Sequence, residues 1–271
     1  MPFLELTRPA NSLMAAIAAW LGYSLALNAP AFDATIALIA TATFLVSAGG
    51  QAVNDYFDRD VDALRKRHRP IPSGRIKPET AYLYALLLFA AGITAAGFVS
   101  LSAAVYAAFF AVLMYAYSAA LAKLKWLGNW LVALGTAAAI MFGAFVAGSY
   151  VLPIFLALAA FFANAGREIT KDLEDLEADR GHKNTLPIIA GEASARSVAG
   201  LCFCLAAIIA CYPATLPWLA SKQIFLFILI AGVLGNFVAL AQLLRHEYKA
   251  SQIMSKAAMA VLLLAYAATL F

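Results

Sequence analysis

The 271 residues are 64% hydrophobic and 13% charged, with a formal net charge of +4. Soluble globular domains are about half apolar and about one quarter charged, so this composition excludes an ordinary soluble protein. It predicts a polytopic membrane protein whose partners include membrane lipid and no nucleic acid.

Apolar stretches long enough to cross a bilayer, which takes about 20 residues, follow one another along the chain. Charged residues or Pro and Gly separate them. The nine stretches are 10–29, 33–56, 79–99, 101–121, 128–149, 151–170, 193–212, 222–243 and 252–271. This pattern predicts an all-α membrane protein with nine transmembrane helices, and we treat 1–271 as a single polytopic domain.

The basic residues indicate the orientation, because cytoplasmic loops of membrane proteins carry the excess of Lys and Arg. If the N-terminus is cytoplasmic, all 19 Lys and Arg residues except Lys222 fall in inside segments or at the adjoining helix edges. An error of one span would scatter the later basic residues over both sides. The distribution therefore favours nine spans and a cytoplasmic N-terminus, in a multi-pass protein of the cell membrane.

Two copies of D-x-x-D-x-x-x-D lie at the C-terminal ends of the second and sixth spans. The first copy is Asp55, Asp58 and Asp62, and the second is Asp172, Asp175 and Asp179. On one continuous helix, this spacing places the three carboxylates within about 60° of one face. Clustered carboxylates need a cation, and Mg²⁺ is usually bound by a few carboxylates together with substrate phosphates. The motifs therefore predict a cytoplasmic site where protein and phosphate share Mg²⁺.

The same helical geometry separates the other acids into two groups. Asp60, Glu174 and Glu177 fall about 140–200° from the first aspartate of their copy and are predicted to be solvated. Glu168 and Asn54 instead extend the stripe of motif side chains, since each lies four residues before a motif aspartate.

The two copies are 117 residues apart with four predicted crossings between them, which indicates a weak parallel repeat of a four-helix unit. A basic loop follows each copy, at 65–75 and at 180–187. Basic residues beside Mg²⁺-binding acids can bind the charge that the metal leaves on a diphosphate. They can equally act as topology signals that attract anionic lipid, so both interpretations stay open for each residue.

With these residues the sequence resembles the UbiA family of intramembrane prenyltransferases, over essentially the whole chain. That family carries N-D-x-x-D-x-x-x-D on its second helix, a similar motif on its sixth, and nine transmembrane helices. Several stretches are most similar to the archaeal digeranylgeranylglyceryl phosphate synthases, at 8–11, 54–58, 69–75, 128–129, 167–175 and 185–187. The resemblance implies nine helices around a central cavity and a prenyl diphosphate substrate.

The resemblance also implies roles for individual residues. Each motif would hold one Mg²⁺, with the prenyl diphosphate between them, and Asn54 would orient the first complex. Candidate diphosphate contacts are Arg69, Tyr117, Lys123, Arg167, Lys171 and Lys183, and candidates for an acceptor phosphate are Arg8 and Asn11. The family often places a Tyr four residues before a Lys after the fourth helix, whereas Tyr117 and Lys123 are six apart. This departure weakens the case for a joint role of those two.

An allylic carbocation left by the departing diphosphate needs shelter from water, which aromatic faces provide. Aromatic side chains near the motif ends are Tyr56, Phe57, Tyr115, Tyr117, Phe161 and Phe162. Each of them is also explained by lipid contact or core packing.

Three functions remain open. The resemblance implies transfer of a geranylgeranyl group to geranylgeranylglyceryl phosphate, which makes the second ether of an archaeal lipid. The same chemistry could act on an aromatic acceptor, such as 4-hydroxybenzoate or a naphthoate in quinone synthesis, or on a tetrapyrrole. An ion-coupled transporter also uses membrane acids and internal repeats, but such acids lie near the bilayer midplane rather than at helix ends.

Overall fold

The structure is a computed structural model that describes residues 1–121, 125–181 and 183–271, without the side chains of residues 64, 65, 120, 121 and 125. The α-helices in these residues are α1 (Pro2–Leu6), α2 (Pro9–Leu27), α3 (Ala34–Phe57), α4 (Arg59–Arg65), α5 (Pro78–Gly97), α6 (Leu101–Ala116), α7 (Lys125–Ala147), α8 (Val151–Glu174), α9 (Leu176–Asp179), α10 (Leu186–Ala190), α11 (Glu192–Cys211), α12 (Pro217–Ala220), α13 (Gln223–Leu244) and α14 (Tyr248–Ala268). A π-helical turn, Tyr117–Leu121, follows α6, and a 3₁₀ turn, Tyr212–Thr215, follows α11.

Nine helical segments in the described part of the chain are long and apolar enough to cross a membrane. They match the nine predicted spans, and the largest differences in bounds are four residues, at the end of α8 and the start of α14. The all-α, nine-span prediction is therefore confirmed.

Polar residues in the connections begin two of the spans. Asp33 accepts a hydrogen bond from the backbone N–H of Ile36 at 2.9 Å at the start of α3. Ser100 accepts one from the N–H of Ala103 at 3.0 Å at the start of α6. These side chains satisfy N–H groups that a helix start leaves without an intrahelical acceptor. This explains why only three residues, 98–100, separate α5 from α6.

The helices form two compact units. The first comprises Met1–Trp20 and Ala31–Ala122, and the second Leu21–Pro30 and Lys123–Phe271. In the first unit α3 packs against α5 and α6. In the second, α8 packs against α7, α11 and α14, and α13 packs against α11 and α14.

Each unit therefore contains one of the two motifs. The C-terminal half of α8, which leads into the second motif, is supported by a buried apolar cluster. That cluster consists of Ile169, Leu173, Ala195, Ala199, Phe203 and Leu243, with Trp130 and Tyr248 packed against it. Burial of this apolar face holds the helix end that presents the carboxylates.

Candidate active site

The middle aspartate of each motif interrupts its helix, so the prediction of one continuous helix per motif is wrong. α3 ends at Phe57 and α4 begins after Asp58, whose φ and ψ are −82° and 0°. α8 ends at Glu174 and α9 begins after Asp175, with φ and ψ of −86° and 5°. The two copies therefore share the same local backbone shape, which supports the predicted repeat at this point.

The interruption has an electrostatic cause. Acidic side chains are unfavourable at the C-terminus of a helix and favourable at an N-terminus, because of the helix dipole. Starting a new helix at the middle aspartate places Asp60 and Asp62 in the first turn of α4, and Glu177 and Asp179 in the first turn of α9. These acids therefore lie at the start of a helix, where the dipole favours them, rather than at the end of one.

In the first unit, two arginines converge on the buried carboxylates of the first motif. Asp55 and Asp62 are each 4% exposed. Arg8 and Arg69 both donate hydrogen bonds to the same oxygen, Oδ1 of Asp55. Arg69 also donates to Asp62, and the Lys66 ammonium lies 3.5 Å from that carboxylate. Buried carboxylates repel one another unless cations lie beside them, so these three side chains neutralise the motif.

The other site residues predicted around the first motif differ in whether they contact it. Asn54 donates a hydrogen bond to Asp58 at 3.0 Å, so it contacts the motif as predicted. Asn11 is exposed on the first turn of α2, and Tyr117 is half-buried at the start of the π-helical turn. Lys123 lies outside the described residues.

Arg8 is held in an uncommon backbone conformation. Its φ of 41° falls in the left-handed region that residues other than glycine rarely adopt. The residue lies between α1 and α2, 47 positions before the aspartate it contacts. The position of its guanidinium beside Asp55 therefore depends on the turn of the backbone between α1 and α2.

The loop after the first motif is fastened to α1. Arg75 donates to both carboxylate oxygens of Glu5 at 2.7 Å, and Arg69 of the same loop contacts the motif. The hydrogen bond from Arg75 lowers the pKa of Glu5, and the reciprocal bond raises the pKa of Arg75. The loop at 65–75 is therefore held at two places, by Arg75 on Glu5 and by Arg69 on Asp55.

Four aromatic side chains cluster beside the first motif. The rings of Tyr56 and Tyr82 are 4.9 Å apart, and those of Phe57 and Tyr115 are 5.7 Å apart. The hydroxyls of Tyr82 and Tyr115 are joined by a 3.0 Å hydrogen bond, and the Arg59 guanidinium lies over the Tyr56 ring at 4.7 Å. Three of the predicted aromatics are thus brought together, and Tyr82 joins them.

In the second unit, the first and third aspartates of the motif are buried and the middle one is exposed. Asp172 and Asp179 are each 1% exposed, while Asp175 faces solvent. Asn129 of α7 donates a hydrogen bond to Oδ2 of Asp172 at 2.6 Å. The Lys183 ammonium lies 3.2 Å from Asp179. The second motif therefore contacts both an amide and a cation.

The two cations predicted on α8 both contact Glu168, which is 6% exposed. Arg167 lies 2.9 Å from it and Lys171 3.7 Å. The Nε of Arg167 is buried and has no hydrogen-bond partner among the described atoms. One donor of Arg167 is therefore buried without a hydrogen bond among the described residues.

The three acids predicted to be solvated are exposed, but Asp175, which was assigned to the motif stripe, is exposed as well. The side chain of Asp60 is 88% exposed and that of Glu177 is 79% exposed, and Glu174 is also exposed. Glu168 is buried. Two contacts were missed from the sequence, Asn129 and Lys66. Asn129 could have been noticed as a polar residue at the start of an apolar span.

The donor set of both motifs fits Mg²⁺, which prefers carboxylate oxygen. Among the described residues, no three His, Cys, Asp or Glu side chains converge closely enough to hold an ion by themselves. Magnesium commonly takes only one or two protein carboxylates and completes its coordination with water and substrate phosphates. The buried carboxylates therefore fit a metal that is shared with a phosphate-bearing substrate.

Comparison with known proteins agrees with this arrangement. The sequence profile of the UbiA prenyltransferase family matches residues 14–266. The digeranylgeranylglyceryl phosphate synthase of Thermococcus gammatolerans is 36% identical over 247 residues, covering 90% of this chain and 88% of that protein. The Methanopyrus kandleri synthase of the same name is 41% identical over 198 residues, covering 73% and 72%.

Solved structures give the same result for the fold. A structure described for digeranylgeranylglyceryl phosphate synthase superposes with a TM-score of 0.82 at 29% identity, over 99% of this chain and 98% of that one. A UbiA homologue from Archaeoglobus fulgidus, bound to DMAPP and Mg²⁺, gives a TM-score of 0.71 at 21% identity, over 98% and 99%. With a family match over most of its length and relatives of this similarity, the chain belongs to the UbiA prenyltransferase family and is a multi-pass membrane prenyltransferase.

Proposed function

We propose that the protein transfers a geranylgeranyl group from its diphosphate to the free hydroxyl of geranylgeranylglyceryl phosphate, in the synthesis of archaeal ether lipids. The observation that carries this proposal is the pair of buried carboxylates in each motif, together with the basic side chains around them. The acceptor rests on the synthases of that name that share 36–41% of their residues with this chain.

The metal-binding residues proposed are the six motif aspartates. Carboxylates of Asp55, Asp58 and Asp62 would hold one Mg²⁺ together with diphosphate oxygens, and those of Asp172, Asp175 and Asp179 would hold a second in the same way. Mg²⁺, when bound, stabilises the negative charge that develops on the leaving diphosphate.

The surrounding residues bind and orient the two substrates. Asn54 fixes the orientation of Asp58 through its amide. Basic and polar side chains contact the diphosphate oxygens, namely Arg69, Tyr117, Lys123, Arg167, Lys171 and Lys183. Arg8 and Asn11 bind the acceptor phosphate, and Arg8 would exchange part of its contact with Asp55 for that phosphate.

The reaction exchanges one C–O bond for another. The allylic C–O bond of the prenyl diphosphate breaks, and the diphosphate leaves with the bonding electrons. The acceptor hydroxyl oxygen forms the new bond to the allylic carbon, and its proton passes to the released diphosphate. The aromatic cluster of Tyr56, Phe57, Tyr82 and Tyr115 shelters the developing positive charge from water.

The proposed setting is the cell membrane, with the N-terminus and both motifs on the cytoplasmic side. The distribution of Lys and Arg supports this orientation. Residues 1–271 would act together as one prenyltransferase domain, and both substrates would be membrane lipids or lipid-like molecules.

The decisive experiment supplies radiolabelled geranylgeranyl diphosphate to membranes that contain the protein. Geranylgeranylglyceryl phosphate, 4-hydroxybenzoate and a dihydroxynaphthoate are offered separately as acceptors. We expect label in a product with two C20 ethers and none in the aromatic acids. If an aromatic acid gains label and geranylgeranylglyceryl phosphate does not, the proposed acceptor is wrong, although prenyl transfer itself is still supported.

A further inference from the structure

A buried amide on α7 contacts the second motif directly. The Nδ2 of Asn129 lies 2.6 Å from Oδ2 of Asp172, and both residues are 1% exposed. They are 43 positions apart in the chain and belong to the same compact unit. An ionised carboxylate only accepts hydrogen bonds, so the amide nitrogen must be the donor.

The first turns of α7 hold this amide in a defined place. The backbone N–H of Trp126 donates to the carbonyl of Asn184 at 3.2 Å, which ties the loop after the second motif to α7. Trp130 packs against the buried clusters that contain Ile169 and Ala165 of α8. Asn129 therefore lies between two residues of α7 that contact other segments of the second unit.

We propose that Asn129 is a positioning residue that orients Asp172 for metal and diphosphate binding. Its amide engages Oδ2 and so fixes the orientation of the Asp172 carboxylate. The inference rests on the proposed role of the second motif as a Mg²⁺-diphosphate site. It adds a residue from a helix that carries none of the motif carboxylates.

A neutral donor suits this task better than a cation would. An amide fixes the direction of the carboxylate without adding a positive charge that competes with Mg²⁺. In the first motif, the guanidinium groups of Arg8 and Arg69 contact Asp55. Hydrogen-bonding partners of this kind are typically worth about 10- to 100-fold in metal affinity, because they orient the ligand atoms.

The chain offers a matched control for this interaction. Asn164 of α8 donates to the Thr136 hydroxyl of α7 at 2.8 Å, so it joins the same two helices with the same amide chemistry. Asn164 lies eight positions before Asp172 and does not touch a motif carboxylate in the described contacts. Asn129→Leu and Asn164→Leu thus remove equivalent interhelical hydrogen bonds and differ in their contact with the motif.

The test uses the full-length protein in detergent with an unreactive prenyl thiodiphosphate. Mg²⁺ is titrated while the thermal midpoint is followed, and kcat and KM are measured in parallel. We expect Asn129→Leu to raise the Mg²⁺ concentration at half-effect by about 10-fold or more. Asn164→Leu should lower the metal-free thermal midpoint but change the Mg²⁺ concentration at half-effect by no more than about twofold. Asn129→Gln keeps an amide and should require less Mg²⁺ for half-effect than Asn129→Leu.

The outcomes separate the inference from the proposed function. If the wild-type protein shows no Mg²⁺-dependent stabilisation with the analogue, the proposed metal site itself fails. If the wild type responds and Asn129→Leu responds equally well, Asn129 does not position Asp172. An equal shift in Asn164→Leu would also overturn the inference, because helix packing would then explain both. Should either Leu variant fail to fold, the pair Asn129→Ser and Asn164→Ser is judged by the same rule.

Discussion

Asp58 and Asp175 lie where each motif leaves its helix, and they are more accessible than their motif partners. Asp58 is half-buried and Asp175 is exposed, whereas Asp55 and Asp172 are buried. The buried aspartates contact side chains that hold them in place. The middle aspartates can therefore be replaced with little effect on packing, which makes them the better probes of function.

We expect Asp58→Ala or Asp175→Ala to reduce prenyl transfer by about 100-fold or more, because each removes a carboxylate from a site that stabilises developing charge. The protein should remain folded and extractable. Asp60→Asn is the control, since its side chain is 88% exposed, and it should change the rate by less than about twofold. Full turnover in either alanine variant would exclude the proposed metal site. A large effect of Asp60→Asn would show that Asp60 belongs to the site, contrary to the prediction.

The Glu5–Arg75 pair predicts a pH dependence of the loop that carries Arg69. Because Arg75 lowers the pKa of Glu5, the pair stabilises the loop fully above the ordinary carboxyl pKa of 4.5. This contribution is lost as the pH falls through the lowered pKa. Hydrogen exchange of residues 66–77 should show greater protection in the wild type than in Glu5→Gln at neutral pH. The difference should vanish in acid, and a constant difference would contradict the assignment.

At the scale of elements, both motif helices are divided by the same backbone step. The N–H of Asp58 donates to the carbonyl of Asn54 at 2.9 Å, and that of Asp175 donates to Lys171 at 2.9 Å. These two hydrogen bonds close the last turns of α3 and α8, and the dihedral angles change at the same residues. Each motif consequently behaves as a helix end followed by a helix start, which offers backbone N–H groups and acids within a few residues.

Close packing of α2 on α7 within the second unit supplies a test of stability. An added Cβ at Gly22 would overlap the carbonyl oxygen of Ile140, so the two backbones would have to separate. We expect Gly22→Ala to lower stability by about 1–3 kcal/mol, as overpacking usually does. Thermal unfolding of the two proteins in detergent measures this loss of stability.

Gly135 of α7 is the matched control for that change. An added Cβ there meets no atom within 4 Å, and alanine is the better helix former by about 1 kcal/mol. Gly135→Ala should therefore leave the midpoint unchanged or raise it. Equal destabilisation by the two substitutions would show that the contact at Gly22 is not the cause.

At the scale of the whole molecule, each compact unit carries one motif, and the proposed reaction needs both. Chelation with EDTA should abolish transfer, because the charge on the leaving diphosphate would lose its metal ions. Addition of Mg²⁺ should restore it. The measurement is product formation from labelled prenyl diphosphate, and transfer that persists in excess chelator would exclude the metal-dependent mechanism.

Several features were predictable because they depend on local sequence. Nine apolar segments of sufficient length follow from composition and spacing, since a helix of about 20 apolar residues satisfies its own backbone groups across a bilayer. The division between buried Glu168 and exposed Asp60 follows from helical periodicity. The interruption at Asp58 was missed because periodicity assumes a continuous helix, whereas the repulsion of the acids by the helix dipole favours a break.

The sequence alone determined the membrane class, the number of spans and the positions of the two aspartate motifs, because those depend on residue type and on spacing along the chain. Tertiary structure decided which distant side chains meet: Arg8 contacts Asp55 across 47 positions, and Asn129 contacts Asp172 across 43. Such contacts depend on how helices pack and on how connections bend, as at Arg8 with its φ of 41°. No periodicity encodes them, since each arises from the folded path of the chain.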